Sequence, residues 1–313
     1  MNARDRIYVA GHTGMVGSAL VRRLRAAGFD RLLLPTRPEL DLRAQAQVDK
    51  FFRTEQPQYV FLAAARVGGI LANDTYPADF IADNLAIELN IIRAAHDHGV
   101  DKLLFLGSSC VYPKHAPQPL KEEHLLTGVL EPTNEPYAIA KIAGIKLCEA
   151  YHRQFGDRFF SLMPTNLYGP HDNFDLQTSH VLPALLRKFH DAKLSGARTV
   201  EVWGSGTPRR EFLHVDDLAD ACVYLMPRLQ GGELVNVGTG TDLTIKELVA
   251  LISDVVGYEG EIVWDSSKPD GTPRKLLDVS KLRALGWQPR IELNAGIASV
   301  YDWYQSNLVA ASA

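Results

Sequence analysis

Short apolar runs alternate with longer segments of helical periodicity through the first half of the chain. The mostly apolar runs cover residues 7–11, 32–37, 58–65, 102–109 and 159–170. Their length and continuity are typical of strands that are buried on both faces of a sheet. Between the runs, apolar residues recur three and four positions apart, which is typical of helices. This alternation predicts an α/β fold with a parallel sheet covered by helices on both sides.

The longest predicted helix covers residues 79–98, and its apolar stripe is unusually wide. Phe80, Ile87 and Ile91 extend the stripe beyond the one face that a surface helix normally buries. Packing in the core of the protein explains such a stripe, and so does a partner helix.

Composition and charge narrow the function classes. The chain has 313 residues, of which 46% are hydrophobic and 22% charged, and its net charge is −4. This charge gives no electrostatic basis for binding nucleic acid or an anionic membrane. No apolar run approaches the ~20 residues of a membrane span, and residues 1–6 contain no signal-peptide core, so we expect a cytoplasmic protein. The three cysteines form no CxxC pair, so we expect neither a disulfide framework nor a metal site.

A glycine-rich turn follows the first strand directly. It has the GxxGxxG spacing and leads into a helix with exposed arginines. Strand, glycine turn and helix in this order predict a dinucleotide site in a Rossmann-type doubly wound sheet, because the glycines let the backbone approach a pyrophosphate at the helix N-terminus. The second strand ends with Thr36 and Arg37, where NAD enzymes usually have an acidic residue. A guanidinium at this position favours the 2′-phosphate of NADP, although Arg37 as a solvated loop residue is the alternative.

The pattern changes after residue 170, where a polar loop at 171–178 replaces the regular alternation. We therefore expect an NADP-binding Rossmann domain over 1–170, to which a segment at about 212–240 returns. A smaller C-terminal α/β domain, mainly over 171–313, is expected to bind the substrate.

Tyr137 and Lys141 carry the candidate chemistry. Residues four apart lie on one face of a helix, where an ammonium can lower the pKa of the phenol and make it usable for proton transfer. Ser108 and Cys110 follow the fourth strand, and ligands bind at this end of parallel strands. The alternatives are a surface Tyr and Lys, a turn hydroxyl at Ser108 and a small buried residue at Cys110.

Cations follow in the C-terminal part. Arg209 and Arg210 come after a glycine-rich turn, and the loop 268–275 adds further cations; this pattern suits a diphosphate, and solvated side chains are the alternative. His180 precedes a predicted helix at 182–192, and a lone histidine is more often structural than catalytic.

Together these motifs resemble the extended short-chain dehydrogenase/reductase family. The resemblance spans essentially the whole chain and is most specific at 106–113, 131–137, 163–173 and 210–217. There it points to the branch that converts GDP-4-keto-6-deoxy-D-mannose to GDP-L-fucose, by epimerisation at C3 and C5 and NADPH-dependent reduction at C4. It also implies a homodimer in which helices 79–98 and 137–155 of two copies pack together.

The resemblance implies a role for each matching residue. Tyr137 donates the proton to the C4 oxygen with help from Ser108 and Lys141, and Cys110 and His180 serve as base and acid in the epimerisation. The implied NADP(H) contacts are Gly11, His12, Thr13, Gly14, Met15, Val16, Gly17, Arg37, Leu40, Asp41, Ala63, Ala64, Leu106, Gly107, Ser108, Ser109, Tyr137, Lys141, Pro164, Thr165, Asn166, Leu167 and His180. The implied contacts to the GDP-sugar are Lys188, Trp203, Arg210, Asp270 and Lys275.

Two residues depart from the family pattern. Thr13 stands where relatives have an arginine near the 2′-phosphate, so a preference for NADP depends on Arg37. Lys188 stands where relatives often have arginine, so a bidentate diphosphate contact becomes a point charge.

Three other functions fit parts of the pattern. A 4,6-dehydratase or 4-epimerase shares the fold, but dehydratases have an acidic pair after the strand-four serine, where this chain has Ser109 and Cys110. A GDP-colitose synthase performs the same chemistry on a 3-deoxy sugar. A cofactor-binding regulatory protein with an inert site is the non-enzymatic alternative, and the intact Ser108, Tyr137 and Lys141 argue against it.

Overall fold

The computed structural model describes residues 1–176, 178–268 and 270–309. The predicted loops at 171–178 and 268–275 thus each include one residue outside the described part. In chain order the strands are β1 (Ile7–Ala10), β2 (Leu32–Leu33), β3 (Tyr59–Leu62), β4 (Lys102–Leu106), β5 (Phe159–Pro164), β6 (Asn166–Tyr168), β7 (Thr199–Trp203), β8 (Arg209–Arg210), β9 (Phe212–His214), β10 (Leu234–Val237), β11 (Leu243–Thr244), β12 (Glu261–Asp265) and β13 (Arg274–Lys275).

The helices alternate with these strands. In chain order they are α1 (Met15–Ala26), α2 (Gln45–Glu55), α3 (Ile70–Thr75), α4 (Pro77–Asp97), α5 (Glu135–Phe155), α6 (Val181–Ser195), α7 (Val215–Leu225), α8 (Ile245–Val256), α9 (Ser280–Ala284) and α10 (Leu293–Tyr304). Short 3₁₀ turns lie at Ser109–Val111, Glu122–His124 and Pro132–Asn134, and a π-helical turn covers Gln305–Val309. Among the described residues, no helix is both long and apolar enough to cross a membrane.

The main sheet of the described chain has six parallel strands in the order β10-β5-β4-β3-β1-β2. The chain reverses its direction of winding between β1 and β3. In doubly wound sheets, ligands bind in the crevice at this point, beyond the carboxyl ends of the strands. The predicted α/β fold with a Rossmann-type parallel sheet is confirmed.

Burial explains which runs became strands. Every residue of β1, β4 and β5 is buried, as expected for strands covered on both faces. The second strand was predicted over 32–37 but ends at Leu33. Pro35 has no N–H to donate to a ladder, and the N–H of Thr36 donates instead to the carboxylate of Glu39 at 2.7 Å.

Helices α4 and α5 pack against each other on one side of the sheet. The wide apolar stripe of α4 is divided: Phe80, Ile91 and Ile92 are buried, whereas Leu85 is 36% and Leu89 49% exposed. Core packing therefore explains only part of the stripe.

A second group of buried residues lies outside the main sheet. It is formed by residues of α6, α8 and α10, such as Leu186, Phe189 and Ile252, and includes Val200 and Val202 of β7. Strand β7 pairs with β12, and β8 lies between β11 and β13. The division into two domains near residue 170 stays a prediction.

Candidate active site

The glycine turn between β1 and α1 is closed by contacts that only glycine permits. Gly11 has a φ of +84°, and a Cβ on it would lie 2.8 Å from Cα of Ala64. A Cβ on Gly17 would lie 2.0 Å from the carbonyl oxygen of Gly11. Gly14, the N-cap of α1, supplies no side-chain cap, so the first N–H groups of the helix point to whatever binds at the turn. The turn therefore fits a pyrophosphate.

The expected cofactor residues after β2 lie at the same edge of the sheet. Leu40 is buried, and Arg37 extends from an exposed loop. Arg43 donates two hydrogen bonds to the carboxylate of Asp41, with Nε and Nη2 at 3.0 and 2.9 Å, and lowers its pKa to about 2. Asp41, an implied cofactor contact, is thus already bonded within the protein.

A further set of implied cofactor residues lies at the carboxyl ends of neighbouring strands. They are Ala63 and Ala64 after β3, Leu106 to Ser109 at the end of β4, and Pro164 to Leu167 across β5 and β6. The segment from Thr165 is fastened by two hydrogen bonds to the carbonyl oxygen of Glu211, from Thr165 Oγ1 at 3.3 Å and from Asn166 Nδ2 at 2.8 Å. Because the strands are parallel, all these residues border one crevice.

Ser108 connects the residues implied in the two chemistries. Its Oγ accepts a hydrogen bond from the backbone N–H of Cys110 at 3.4 Å. Its side chain also lowers the pKa of both Tyr137 and Cys110. The serine hydroxyl therefore lies close to both the phenol and the thiol.

Lys141 does not act on Tyr137 as the sequence predicted. Its Nζ lies 5.9 Å from the centre of the Tyr137 ring, but only 3.1 Å from Oε1 of Glu88. Burial raises the pKa of Tyr137 well above 10, and Cys110 and Glu88 raise it further, whereas the Ser108 hydrogen bond lowers it. The expectation of a phenol pKa lowered by Lys141 is therefore wrong: burial, the largest influence, raises the pKa of Tyr137, and the Lys141 ammonium is paired with Glu88.

Lys275 brings positive charge to both residues implied in epimerisation. Burial raises the pKa of the Cys110 thiol, and the charge of Lys275 opposes that shift. His180, the N-cap of α6, keeps part of its surface exposed to solvent. Partial loss of contact with water lowers the pKa of His180, and the charge of Lys275 lowers it further. Both Cys110 and Lys275 line one small cavity.

The loop before His180 carries a buried acid. Oδ1 of Asp172 accepts a hydrogen bond from the N–H of Asn173 at 2.8 Å. Its Oδ2 is buried and accepts no hydrogen bond from the described residues. Burial raises the pKa of Asp172 to about 7.

The predicted pair of arginines does not act as a pair. Asp242 binds Arg209 of β8 and Arg274 of β13, with Nε to carboxylate distances of 2.9 and 2.5 Å. Neighbouring residues of a strand point to opposite sides. Because Arg209 and Arg274 bind Asp242 on one side of these strands, their neighbours Arg210 and Lys275 point to the other side, toward the crevice. Arg210 and Lys275 are register partners in β8 and β13.

Trp203 forms an exposed platform at the end of β7. The residue is 57% exposed, and the ammonium groups of Lys188 and Lys268 lie 5.5 and 5.4 Å from the centre of its ring. Nearby, the carboxylate of Asp270 accepts hydrogen bonds from the N–H and hydroxyl of Ser205 at 2.7 and 2.8 Å. An aromatic face between two cations can stack on a base and attract its phosphates.

Three residues of this region were missed by the sequence interpretation. Asp242 binds arginine side chains and Glu211 binds backbone N–H groups. Both residues lie in loops or beside short strands, where no sequence pattern predicts such contacts. Glu88 gave a signal that was overlooked, because it is a charged residue on the buried face of α4. No cluster of His, Cys, Asp or Glu in the described residues is arranged to bind a metal ion.

The chain is closely similar to several curated enzymes. GDP-L-fucose synthase 1 of Arabidopsis thaliana is 62% identical over 303 residues, covering 97% of this chain and 94% of the relative. GDP-L-fucose synthase of Escherichia coli is 59% identical over 314 residues, covering 97% and 98%. GDP-L-colitose synthase of Yersinia pseudotuberculosis is 38% identical over 301 residues, covering 96% and 97%.

Solved structures agree over nearly the full length. A GDP-6-OMe-4-keto-L-xylo-heptose reductase of Campylobacter jejuni superposes with a TM-score of 0.93 at 43% identity, covering 98% of this chain and 99% of the other. A GDP-mannoheptose C4 reductase of the same organism, solved with NADP bound, gives 0.91 at 44% identity, covering 97% and 99%. Residues 7–238 match the NAD dependent epimerase/dehydratase family. The glycine turn, the parallel sheet and these similarities show that the chain belongs to the NAD dependent epimerase/dehydratase family.

Proposed function

We propose that the protein converts GDP-4-keto-6-deoxy-D-mannose to GDP-L-fucose, by epimerisation at C3 and C5 followed by NADPH-dependent reduction at C4. One observation carries the proposal: the Ser108 side chain lies close to both Tyr137 and Cys110 and lowers the pKa of each, so groups for reduction and for proton exchange lie in one cluster. The relatives that are 62% and 59% identical bear the name of this activity.

The cofactor proposed is NADP(H), which supplies the hydride when it is bound. The turn from Gly11 to Gly17 would receive its pyrophosphate, since a Cβ at either end would fill the space. Arg37 would contact the 2′-phosphate, and with Thr13 in place of an arginine it would be the main discriminator against NAD. Lys141 would bond the nicotinamide ribose.

For the epimerisation, the C4 ketone makes the hydrogens on C3 and C5 acidic, because either carbanion delocalises into an enolate. Cys110 is the proposed base, and Lys275 favours its thiolate form. His180 is the proposed acid on the opposite face. Its lowered pKa makes the imidazolium a stronger acid, at the expense of its population at neutral pH. Ser108 and Tyr137 would donate to the enolate oxygen at C4 in both inversions.

For the reduction, Tyr137 donates its proton to the C4 oxygen. A phenol whose pKa is raised keeps this proton at neutral pH, which suits a reductase that works as a proton donor. Arg210, Lys275 and Lys188 would bind the diphosphate, and Trp203 would stack on the guanine. Asp270 is a proposed contact to the GDP moiety, and the hydrogen bond from Ser205 fixes the orientation of the Asp270 carboxylate.

We propose that the protein works as a cytoplasmic homodimer with no nucleic-acid or membrane partner. Exposed apolar side chains on α4 and α5 support the interface: Leu85 and Leu89 on α4, and Ile139 and Phe155 on α5, which are 42% and 52% exposed. Two packed helices from each copy would bury this surface as a four-helix bundle.

Two variants separate the two chemistries. Tyr137→Phe should lose reduction of the keto sugar by at least about 10²-fold, yet should still incorporate deuterium from D₂O at C3 and C5. Cys110→Ser should slow that incorporation while leaving NADPH affinity nearly unchanged. Tyr151→Phe on α5 and Cys222→Ser in the core are matched controls and should behave as wild type.

The readouts are NADPH oxidation and NMR of the sugar. Normal reduction by Tyr137→Phe, or exchange at the wild-type rate in Cys110→Ser, would contradict the assigned roles. A GDP-4-keto-3,6-dideoxy sugar is the alternative substrate, supported by the relative that is 38% identical, and comparing turnover of the two sugars decides between them.

A further inference from the structure

A carboxylate lies buried between the helices behind the proposed proton donor. Glu88 of α4 is 1% exposed and lies on the face that also buries Ile91 and Ile92. Burying an ionised carboxylate costs several kcal/mol unless a charge or hydrogen bonds compensate. An ionised Glu88 on this apolar helix face therefore needs a compensating partner.

Lys141 is the compensating charge. Its Nζ lies 3.1 Å from Oε1 of Glu88, and the lysine itself is 2% exposed. The same ammonium lies 4.6 Å from the centre of the Phe105 ring. Neither Glu88 oxygen accepts a hydrogen bond of good geometry from the described residues, so the ion contact is its compensation in this part of the chain.

Helix α5 leaves space for this arrangement. A Cβ on Gly144 would lie 2.8 Å from Oε2 of Glu88 and 2.4 Å from Cζ of Phe105. A glycine inside a helix costs about 1 kcal/mol relative to alanine. The glycine thus lowers the stability of the helix one turn beyond Lys141, but it leaves room for both the Phe105 ring and the Glu88 carboxylate.

Other titratable groups also face this cluster, and burial and Cys110 raise the pKa of Tyr137 more than Glu88 does. Cys110 lies on the 3₁₀ turn and is near Lys275 of β13. Cys148 of α5 stays neutral, because burial raises the pKa of its thiol to about 12. Burial is the main reason that the pKa of Tyr137 is raised, but the charge of Glu88 contributes in the same direction.

We propose that Glu88 is a positioning residue that holds the Lys141 ammonium in place, 5.9 Å from the centre of the Tyr137 ring, and thereby supports proton donation by Tyr137 during C4 reduction. The proposal rests on the proposed reductase function. A carboxylate opposes the formation of a tyrosinate next to it, and it prevents Lys141 from becoming an uncompensated buried cation. Loss of a proton from either Tyr137 or Lys141 stops proton donation, so both effects protect activity at high pH.

The test is the pH profile of kcat for NADPH-dependent reduction. In Glu88→Gln the basic limb should move to lower pH by at least about one unit, since 1.36 kcal/mol of lost interaction equals one unit. Glu149→Gln is the control and should leave the limb in place, because Glu149 is a half-buried residue of α5 that pairs with the exposed Lys146. Glu88→Asp keeps the negative charge but moves it away from Lys141, because the side chain is one methylene shorter. We therefore expect kcat to fall several-fold while the basic limb stays within about 0.3 pH units of wild type.

The results of these variants distinguish a role of Glu88 in proton donation from a purely structural role in packing. A melting temperature that falls in Glu88→Gln with an unmoved basic limb would overturn the proposal, because a purely structural residue behaves in that way. If Glu88→Gln is recovered unfolded, Glu88→Asp decides, and a wild-type kcat in that variant overturns the proposal.

Failure of the proposed function is recognised separately. It is shown by a wild-type protein that binds NADPH but does not reduce the keto sugar. Ultraviolet difference absorbance then follows the ionisation of Tyr137 directly, with Tyr137→Phe identifying its signal. A tyrosinate that forms at lower pH in Glu88→Gln supports the proposal, and an unchanged titration overturns it.

Discussion

Replacing Asp172 by asparagine measures what a buried carboxylate costs the folded protein. Burial raises its pKa from 3.8 to about 7. Between these values the folded state binds more protons than the unfolded state, so the free energy of unfolding falls as the pH rises, by 1.36 kcal/mol per unit. Over the whole interval of about three units the cost reaches roughly 4 kcal/mol. The loss is complete above the folded pKa and absent below the unfolded one.

Asp172→Asn removes this pH dependence. Asparagine keeps the oxygen that accepts the N–H of Asn173, but its amide nitrogen has no partner, which costs about 1–3 kcal/mol at any pH. The clearest quantity is therefore the change with pH. The stability of the variant relative to wild type should rise by roughly 2–3 kcal/mol between pH 5 and pH 7.

Urea unfolding at both pH values measures this difference. Asp254→Asn is the matched control, since Asp254 is exposed on α8 and should show little change in either condition. A stability difference for Asp172→Asn that is equal at pH 5 and pH 7 would refute the reasoning. It would mean that the carboxylate is not desolvated in solution as its surroundings indicate.

Three further predictions follow from other contacts. Arg37→Ala should weaken NADPH binding by about 1.5–3 kcal/mol and NADH binding little, as measured by fluorescence titration; equal losses would show that Arg37 does not read the 2′-phosphate. Glu211→Gln should destabilise the fold by about 2–4 kcal/mol in urea, because its buried carboxylate accepts the N–H groups of Gly240 and Leu277 at 2.7 and 2.9 Å, whereas Glu201→Gln on the exposed side of β7 should not. Leu89→Glu should convert a dimer into a monomer in light scattering at micromolar concentration while the far-ultraviolet circular dichroism spectrum stays that of the folded subunit, and a wild-type protein that is already monomeric would contradict the proposed interface.

The strands and helices of the main sheet could be predicted well because each is determined by the residues of its own short segment. Helices α4 and α5 lie within two residues of the predicted bounds of 79–98 and 137–155. Continuous apolar runs identify strands covered on both faces without any knowledge of their partners. The second strand was overestimated because Glu39 takes the N–H of Thr36, and such a competing side chain leaves no periodic trace.

The site was predictable only where one short motif contains it. The glycine turn and the spacing of Tyr137 and Lys141 are local, and both identify their elements correctly. The contact of Glu88 with Lys141 and the binding of Arg209 by Asp242 join distant parts of the chain. The pKa of Tyr137 depends on such contacts, so its direction could not be read from the sequence.

The pairing of β8 with β13 has a consequence for biosynthesis. Domains fold as the chain emerges, with the N-terminal part first. The main sheet has its last strand once Val237 has emerged, but Arg210 must then wait for Lys275, its register partner much further along the chain. Until that segment arrives, Asp242 also lacks Arg274. The cationic side of the crevice, formed by Arg210 and Lys275, is therefore among the last parts of the described structure that a ribosome-bound chain can complete.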